Sequence, residues 1–498
     1  MPPPESVDAR RTLLVVSVAA AMTTMDITIV NVALGAIGVD LDASFGQLQW
    51  VVNAYPLLFA ALLLAGGSLA DRIGHRRVFV TGVLLFTGGS LLCGAAPEAV
   101  SLIAGRCVQG VGGALIMAAA VPLLVRAHPG ERRTGAIGVL SATAGVSAAV
   151  APVIGGALVS GLGWRWVFLV NLVPGVLVVL GARRWLAADD PAGRRRLDLP
   201  GTALGVLTLG ATNLVVISGT ENGWASARTV VVGLVALAGL AAFLVVEVRT
   251  TDPMLDLALF RVPAFAGAGA LSFLTRAVGF GTMPYLVLWL QGVRGQSALD
   301  AGLQVVALPA AIVVGSLTVA RVQRRLGARG TVVVGFAAMA VGYLPLTRID
   351  ESATWLTALP GLALIGAGMG LLFAPLMNLS VTVVPPRHAG MASGTANSFF
   401  PLGTAVGVAV FGAVLAARIA DLFPGSGPAR DLVEAGRPGE VSAPDDVLGR
   451  IAFTGALSTV AWVAAAAAVI GVVVALTTVP SRRAAAVAPP ARADADRA

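Results

Sequence analysis

Three ionisable residues lie deep inside long apolar stretches of this chain: Asp26, Arg106 and Arg276. A charge in hydrocarbon is costly, so such residues are functional candidates by default. A carboxylate there can take up and release a proton, with its affinity set by burial and by nearby cations. An arginine there is a permanent cation that can hold a carboxylate with two parallel hydrogen bonds. Asp26 stands about 14 residues, or roughly 21 Å, from the start of its apolar run. Arg106 stands about 6 residues, or roughly 9 Å, from the start of a run that crosses in the opposite sense. In a layer of about 30 Å these are similar depths. The two would pair if their helices are neighbours. Asp26 then reads either as a proton site tuned by Arg106 or as half of a static ion pair. Arg276 shares a helix face with Phe273 and Phe280 and is followed by Pro284. Several roles are open to it: contact with a substrate carboxylate, pairing with Asp26 across a central cavity, snorkelling, or pairing with main-chain carbonyls.

Around Arg106, residues Gln109, Gly110 and Gly113 follow at i+3, i+4 and i+7, a polar and small stripe on one helix face. Facing lipid, such a stripe would be expensive, so it faces protein or a water-filled cavity. The glycines by themselves suit close helix packing. Asn31, Asn213, Asn378 and Asn397 also lie in apolar runs. Each suits a helix–helix hydrogen bond or a substrate contact, and Asn31 and Gln109 join Arg276 as substrate-cavity candidates. Pro152, Gly155 and Gly156 mark a hinge or a tight contact.

The elements that must position these residues are membrane helices. The chain is 57% hydrophobic and 12% charged, with mean hydropathy +0.86, where a soluble protein carries about 25% charged residues. The apolar content recurs in about fourteen runs of spanning length, near 12–38, 48–70, 77–96, 100–125, 134–160, 165–186, 199–220, 228–248, 262–291, 299–320, 330–348, 354–381, 389–417 and 451–479. The basic residues sort by side. With the N-terminus inside, 24 arginines fall on inside segments and 8 on outside segments, which places both termini in the cytoplasm. The first run is too long for a signal peptide and reads as the first span. The exterior connection 418–450, rich in Pro, Gly, Asp and Glu, reads as loosely ordered. The tail 481–498 reads as disordered.

Composition also excludes functions. All 34 basic residues are arginine. A P-loop needs a lysine for its phosphates, so no ATP site is expected. The arginines lie between apolar runs, which suits membrane topology rather than nucleic-acid binding. Cys93 and Cys107 lie within runs, and the three histidines do not cluster, so neither a disulfide framework nor a metal site is expected. No cluster of ionisable residues at one membrane face suggests a membrane enzyme, and no soluble domain suggests a sensor.

Several stretches resemble the major facilitator superfamily, and within it the fourteen-span drug:proton antiporters. Gly67-Ser68-Leu69-Ala70-Asp71-Arg72-Ile73-Gly74-His75-Arg76 resembles the superfamily's signature loop between spans 2 and 3. Met25-Asp26-Ile27-Thr28-Ile29-Val30-Asn31-Val32-Ala33-Leu34 is similar to the span 1 signature of the fourteen-span exporters. Arg106, Gln109, Gly110, Gly112, Gly113 and Ala114 are similar to the span 4 motif linked to proton coupling, and Pro152, Gly155 and Gly156 to the antiporter motif of span 5. Trp164 to Pro174, Gln291 to Gly295 and Ala301-Gly302-Leu303 look family-like as well. There are departures. His75 stands where an arginine is usual, and Ser147 and Ala151 where the antiporter motif has glycines, which implies a stiffer span 5.

The resemblance implies an all-α polytopic membrane protein with the major-facilitator fold: two six-helix halves that rock around a central cavity, plus two extra central spans. The corresponding division is an N-terminal tail 1–11, a first half 12–186, the extra spans and linkers 187–250, a second half 251–480 and the tail 481–498. It also implies a monomeric proton-coupled antiporter, without a cofactor, that exports small hydrophobic drugs or antibiotics. Asp26 and Arg106 would carry proton coupling. Gly67, Asp71, Arg72, Gly74 and Arg76 would form a cytoplasmic latch. Asp71, at the C-terminal end of a helix, opposes the helix dipole. It therefore needs a partner such as Arg72, Arg76 or another helix's N-terminus. The second half holds no deep carboxylate, so multivalent cations are not expected as substrates, and Arg276 favours neutral or anionic ones. A facilitator for a metabolite would share all of these features except the direction of transport.

Overall fold

The computed structural model describes residues 4–128, 132–187, 198–223, 225–250, 257–350, 355–384, 389–425, 427–442 and 445–480. The tail 481–498 lies outside them. Among the described residues every regular element is helical, as expected of a chain whose main-chain groups must be satisfied without water. The first half comprises α1 (Pro4–Asp40), α2 (Phe45–Ile73), α3 (His75–Gly94), α4 (Ala99–Ala127), α5 (Arg132–Leu162), α6 (Trp166–Leu169) and α7 (Leu172–Trp185). Two further helices, α8 (Leu199–Asn222) and α9 (Ala227–Arg249), precede the second half. That half comprises α10 (Pro263–Gly281), α11 (Met283–Leu288), α12 (Ala298–Val305), α13 (Ala307–Tyr343), α14 (Trp355–Thr382), α15 (Ala389–Leu422), α16 (Pro428–Glu434) and α17 (Asp445–Thr478).

Among the described residues, 12 helical segments are long and apolar enough to cross a membrane, or 13 when α2, bent by 53°, counts as one span. The segment Ala298–Arg348, 51 residues long, is two spans rather than one. Leu308 packs on Gly366 while Met339 packs on Gly368, two residues along α14. In a straight helix, residues 308 and 339 would lie about 46 Å apart. The chain therefore folds back between them, at Gly327, whose φ of 74° suits glycine. Counting both parts gives the fourteen segments read from the sequence.

The helix ends gather at two faces. At one, Arg165 reaches the main-chain oxygen of Ala96, Ser458 that of Thr347 and Arg450 that of Val293. At the other, Arg76 donates to the main-chain oxygen of Arg183, Arg11 lies over Trp185 and Arg329 donates to the oxygen of Val479. The second face carries the N-terminal part of α1 and the C-terminal end of α17.

The two halves do not meet evenly. Near the face that carries the 418–450 connection they share one apolar cluster, in which Val30, Leu34 and Leu48 pack with Tyr285, Leu288 and Phe411. Near the terminal face the first half keeps its own cluster of Val15, Val16, Phe79, Ile116 and Val178. The halves are thus joined at one end and separate at the other. Of the two extra helices, α8 docks on α2 through Asn53 and Asn213, whose side chains are 3.2 Å apart. The other, α9, rests on α8 and exposes Val231, Leu234, Val235 and Leu237, a face suited to lipid.

The connection 418–450 departs from the loosely ordered segment expected. It contains α16 and a 3-10 turn at Pro438–Glu440. Val433, Ala435 and Val441 are buried in the shared cluster. Composition missed this because three small apolar residues among polar ones are enough to anchor a short cap.

Candidate functional site

Asp26 and Arg106 meet. Arg106 Nη1 donates to Asp26 Oδ2, and the two side chains are 0% and 1% exposed respectively. An ion pair taken out of water is tolerated only when its remaining donors and acceptors find partners, and here both carboxylate oxygens and two of the three guanidinium nitrogens do. Asp26 Oδ1 accepts from Gln109 Nε2 at 3.0 Å and from Asn171 Nδ2 at 3.4 Å. Arg106 Nε donates to the main-chain oxygen of Val51 at 3.0 Å, and its Nη1 also donates to Gln109 Oε1 at 2.9 Å. The guanidinium lies over the Tyr55 ring, 4.8 Å from its centroid. Ser90 accepts from Gln109 at 2.8 Å and from Asn171 at 3.4 Å.

Helix geometry explains the convergence. Arg106 and Gln109 sit three residues apart on one face of α4, so both reach the same carboxylate. Gly110 and Gly113 on that face let α2 approach. A β-carbon at Gly110 would stand 2.7 Å from the main-chain oxygen of Tyr55, and one at Gly113 only 2.4 Å from the Tyr55 hydroxyl. The stripe read from the sequence therefore faces protein. The structure places Gln109 inside this network, fully enclosed, rather than on a cavity wall. Asn31 is also buried, and among the described residues its Oδ1 has no hydrogen-bond partner.

Such an arrangement has a definite chemistry. A proton added to Asp26 removes the charge that holds Arg106 and turns one acceptor oxygen into a donor. The pair of Gln109 and Asn171 donors would then face an oxygen that no longer needs both. Asp26 is fully buried in this conformation, so exchange with solvent requires the helices packed around it to part.

Arg276 is not part of this cluster. It lies on α10 with its guanidinium 4.9 Å from the Phe280 ring centroid and 5.5 Å from that of Phe400 on α15. Of the roles open to it, pairing with Asp26 is removed, since Arg106 holds that carboxylate.

The stretch 67–77 turns between α2 and α3. Gly74 has φ 107° and ends α2 with its N–H on the oxygen of Ala70, a conformation that an L side chain rarely adopts. The partner of Asp71 is His75, at 3.3 Å, and not the expected arginines. His75 is the first residue of α3, so the carboxylate also faces a helix N-terminus, where the dipole favours an anion. Arg76 instead caps the carbonyl end of α7 at Arg183.

Pro152, Gly155 and Gly156 make a tight contact. Gly155 packs on Ile29 of α1, and Gly156 packs on α12 so closely that a β-carbon would stand 2.6 Å from the main-chain oxygen of Ala298. Gly302 packs reciprocally on the oxygen of Pro152. The joined face is fastened by polar contacts between the halves as well. Gln291 Nε2 donates to the oxygen of Val32 at 2.8 Å, and the Leu299 N–H to Ser160 Oγ at 3.2 Å. Arg437 Nη1 donates to Asp42 Oδ1 at 3.1 Å and to the oxygen of Gly38 at 3.3 Å. Glu440 and then Asp42 raise the affinity of Arg437 for its proton. At the same face, Asp40 accepts from Trp164 Nε1 at 2.9 Å and from Arg165 Nη1 at 2.6 Å, which gives that family-like stretch its anchor.

Sequence reasoning did not single out Ser90, Tyr55 or the Val51 carbonyl, and it quoted Asn171 without a role. The available signal was weak: single uncharged polar residues in apolar runs, which are as often packing contacts.

Helices of spanning length, two halves joined at one face and a buried charge pair define a polytopic membrane transporter. The profile of the Major Facilitator Superfamily matches residues 16–408, and the chain belongs to that superfamily. It is 35% identical over 407 residues to the multidrug resistance protein Stp of Mycobacterium tuberculosis, covering 82% of this chain and 76% of that protein. It is 36% identical over 400 residues to a methylenomycin A resistance protein of Streptomyces coelicolor, covering 79% and 83%. Among solved structures, an inward-facing, unoccupied bacterial homologue of the human lysosomal transporter Spinster superposes with a TM-score of 0.67 at 18% identity, over 96% of this chain and 97% of that one. Members of this superfamily are transporters of small molecules and not enzymes, as the sequence reading expected.

Proposed function

We propose that this protein exports small, fairly hydrophobic molecules, antibiotics or related metabolites, across the cytoplasmic membrane in exchange for protons. It works as a monomer without a bound cofactor. Both termini lie in the cytoplasm, on the strength of the arginine distribution. On that orientation the joined face is exterior and the open face cytoplasmic, so the conformation described is inward-facing. The observation that carries the reading is the enclosed Asp26–Arg106 pair. A satisfied charge pair at this depth is stable only while the helices around it stay closed. A proton on Asp26 dissolves it, which links protonation to helix movement as a population shift. The relatives named for multidrug and methylenomycin A resistance support the substrate class and the direction.

Inverted membrane vesicles with an imposed pH gradient test this. Drug uptake into the vesicles should follow the gradient and vanish when it is collapsed. Asp26→Asn keeps the shape and the hydrogen bonds but cannot titrate, so it should abolish gradient-driven accumulation while leaving downhill movement. Accumulation that ignores the gradient, or normal coupling in Asp26→Asn, would sink the proton role. Movement only down the drug's own gradient in the wild type would mark a facilitator instead.

A further inference from the structure

Arg276 lies in the segment Pro263–Val293, 31 residues long. It lies mid-segment, about 20 Å from one end and about 26 Å from the other, and its guanidinium rests on aromatic rings rather than reaching towards either end. Among the described residues it has no hydrogen bond and no ion pair; its contacts are the rings of Phe280 and Phe400. A guanidinium has five donors in a planar fork. Leaving them unmade at this depth is costly unless a ligand completes them.

The position says what the ligand is. Arg276, Phe280 and Pro284 follow at i, i+4 and i+8, and so do Phe400, Thr404 and Val408 on α15. The upper members of the two stripes, Pro284 and Val408, line the seam between the halves together with Gln49 and Val52 of α2. Lower down, the stripes face each other across Arg276 and Phe400 and run towards the end where the halves separate. Phe373 packs on Phe400 with ring centroids 5.0 Å apart and is itself exposed. A fixed cation thus stands beside an aromatic shelf, on two helices whose following turns line the seam between the halves.

We infer that Arg276 with Phe280, Phe400 and Phe373 is a binding site for aromatic or conjugated molecules that carry a carboxylate or similar anion. The inference rests on the export reading and deepens it by naming the substrate class. The carboxylate takes the guanidinium fork bidentately, and the ring system lies on the phenylalanines. The same charge repels amines. The site lies wholly in the second half and Asp26 wholly in the first, so substrate and proton meet different helices and communicate only through movement of the halves.

The test is equilibrium binding without any gradient, which separates it from proton coupling and from direction. The protein in lipid nanodiscs is titrated with 1-pyrenebutyrate, with its neutral amide and with the corresponding pyrenylbutylammonium. Partition into empty discs is subtracted. The wild type should prefer the carboxylate to the amide by about tenfold, the scale of a charge-assisted hydrogen bond. Arg276→Gln should bring carboxylate and amide to parity, Arg276→Lys should keep part of the preference, and Arg276→Glu should favour the ammonium. Phe400→Ala should weaken all three probes alike. Equal binding of carboxylate and amide by the wild type, an undiminished preference in Arg276→Gln, or no saturable binding of any probe overturns the inference. Should this fail while gradient-driven export stands, the site assignment alone is wrong.

Discussion

At the scale of single residues, the centre of the molecule is a charge pair whose value depends on both partners. Removing one partner of a buried ion pair leaves an uncompensated charge, at a cost of about 3–5 kcal/mol, whereas removing both can be nearly neutral. Arg106→Met should therefore lower the melting temperature of the purified protein more than the double variant Asp26→Asn, Arg106→Met does. A double variant as unstable as the single one would show that Arg106 stabilises by packing on Tyr55 and not by its charge. The pair itself was legible in the sequence: ionisable residues in apolar runs are rare, and helix rise alone put these two at one depth. Their supporting residues were not. Ser90 and Asn171 reach Asp26's network only because α3 and α7 pack beside α4, and no periodicity in the sequence states which helices are neighbours. Gln109 was legible as a neighbour of Arg106 on one helix face but not as enclosed, since its face was readable and the element facing it was not. Arg276 was legible as a deep cation, and its aromatic partner on α15, more than a hundred residues away, was not.

At the scale of elements, glycine sets where the two halves touch. The sequence separated hinge from tight contact poorly at Pro152, Gly155 and Gly156, because proline and paired glycines serve both. The structure shows α5 continuous through Pro152 and in close contact with α12. At Gly156 the neighbours are main-chain atoms of Ala298 and Leu299, which cannot swing aside as a flexible side chain would. Gly156→Val should hold α5 and α12 apart, weaken the joined face and slow gradient-driven transport in vesicles by at least about tenfold, the effect of about 1.4 kcal/mol. Expression and membrane insertion should be unchanged, as both apolar faces remain. Transport at the wild-type rate would mean that the contact forms without mechanical consequence. The same element scale explains the fold-back at Gly327. A run of apolar residues longer than one membrane crossing implies two spans, and the arginines at 321, 324, 325 and 329 mark the turn, so sequence located it. The short turn at 170–171 between α6 and α7, and the short helix within 418–450, had no such marker.

At the scale of the whole molecule, the question is what holds one end shut while the other stands open. Apolar packing at the shared cluster does most of it, but packing alone would make closure hard to reverse. Arg437 supplies a reversible clasp. It is only 12% exposed and binds Asp42 and the oxygen of Gly38 across the seam, while Glu440 holds it in place. Asp42 is 92% exposed on its side chain and adopts φ 44°, an unusual conformation outside glycine, which turns its carboxylate towards the partner half. With one partner in water, the pair contributes on the order of 1 kcal/mol, enough to change the ratio of closed to open states several-fold but not to trap either. Arg437→Ala should therefore populate states open at this face. Spin labels at Ala95→Cys in the first half and Ser442→Cys in the second, with Cys93 and Cys107 replaced by alanine, report the distance between halves by pulsed electron resonance. The long-distance component should grow in Arg437→Ala and should shrink again in the charge-swapped pair Asp42→Arg, Arg437→Asp. If the clasp were ornamental, the distance distribution would be the same in all three proteins, and the apolar cluster alone would have to account for the closed face.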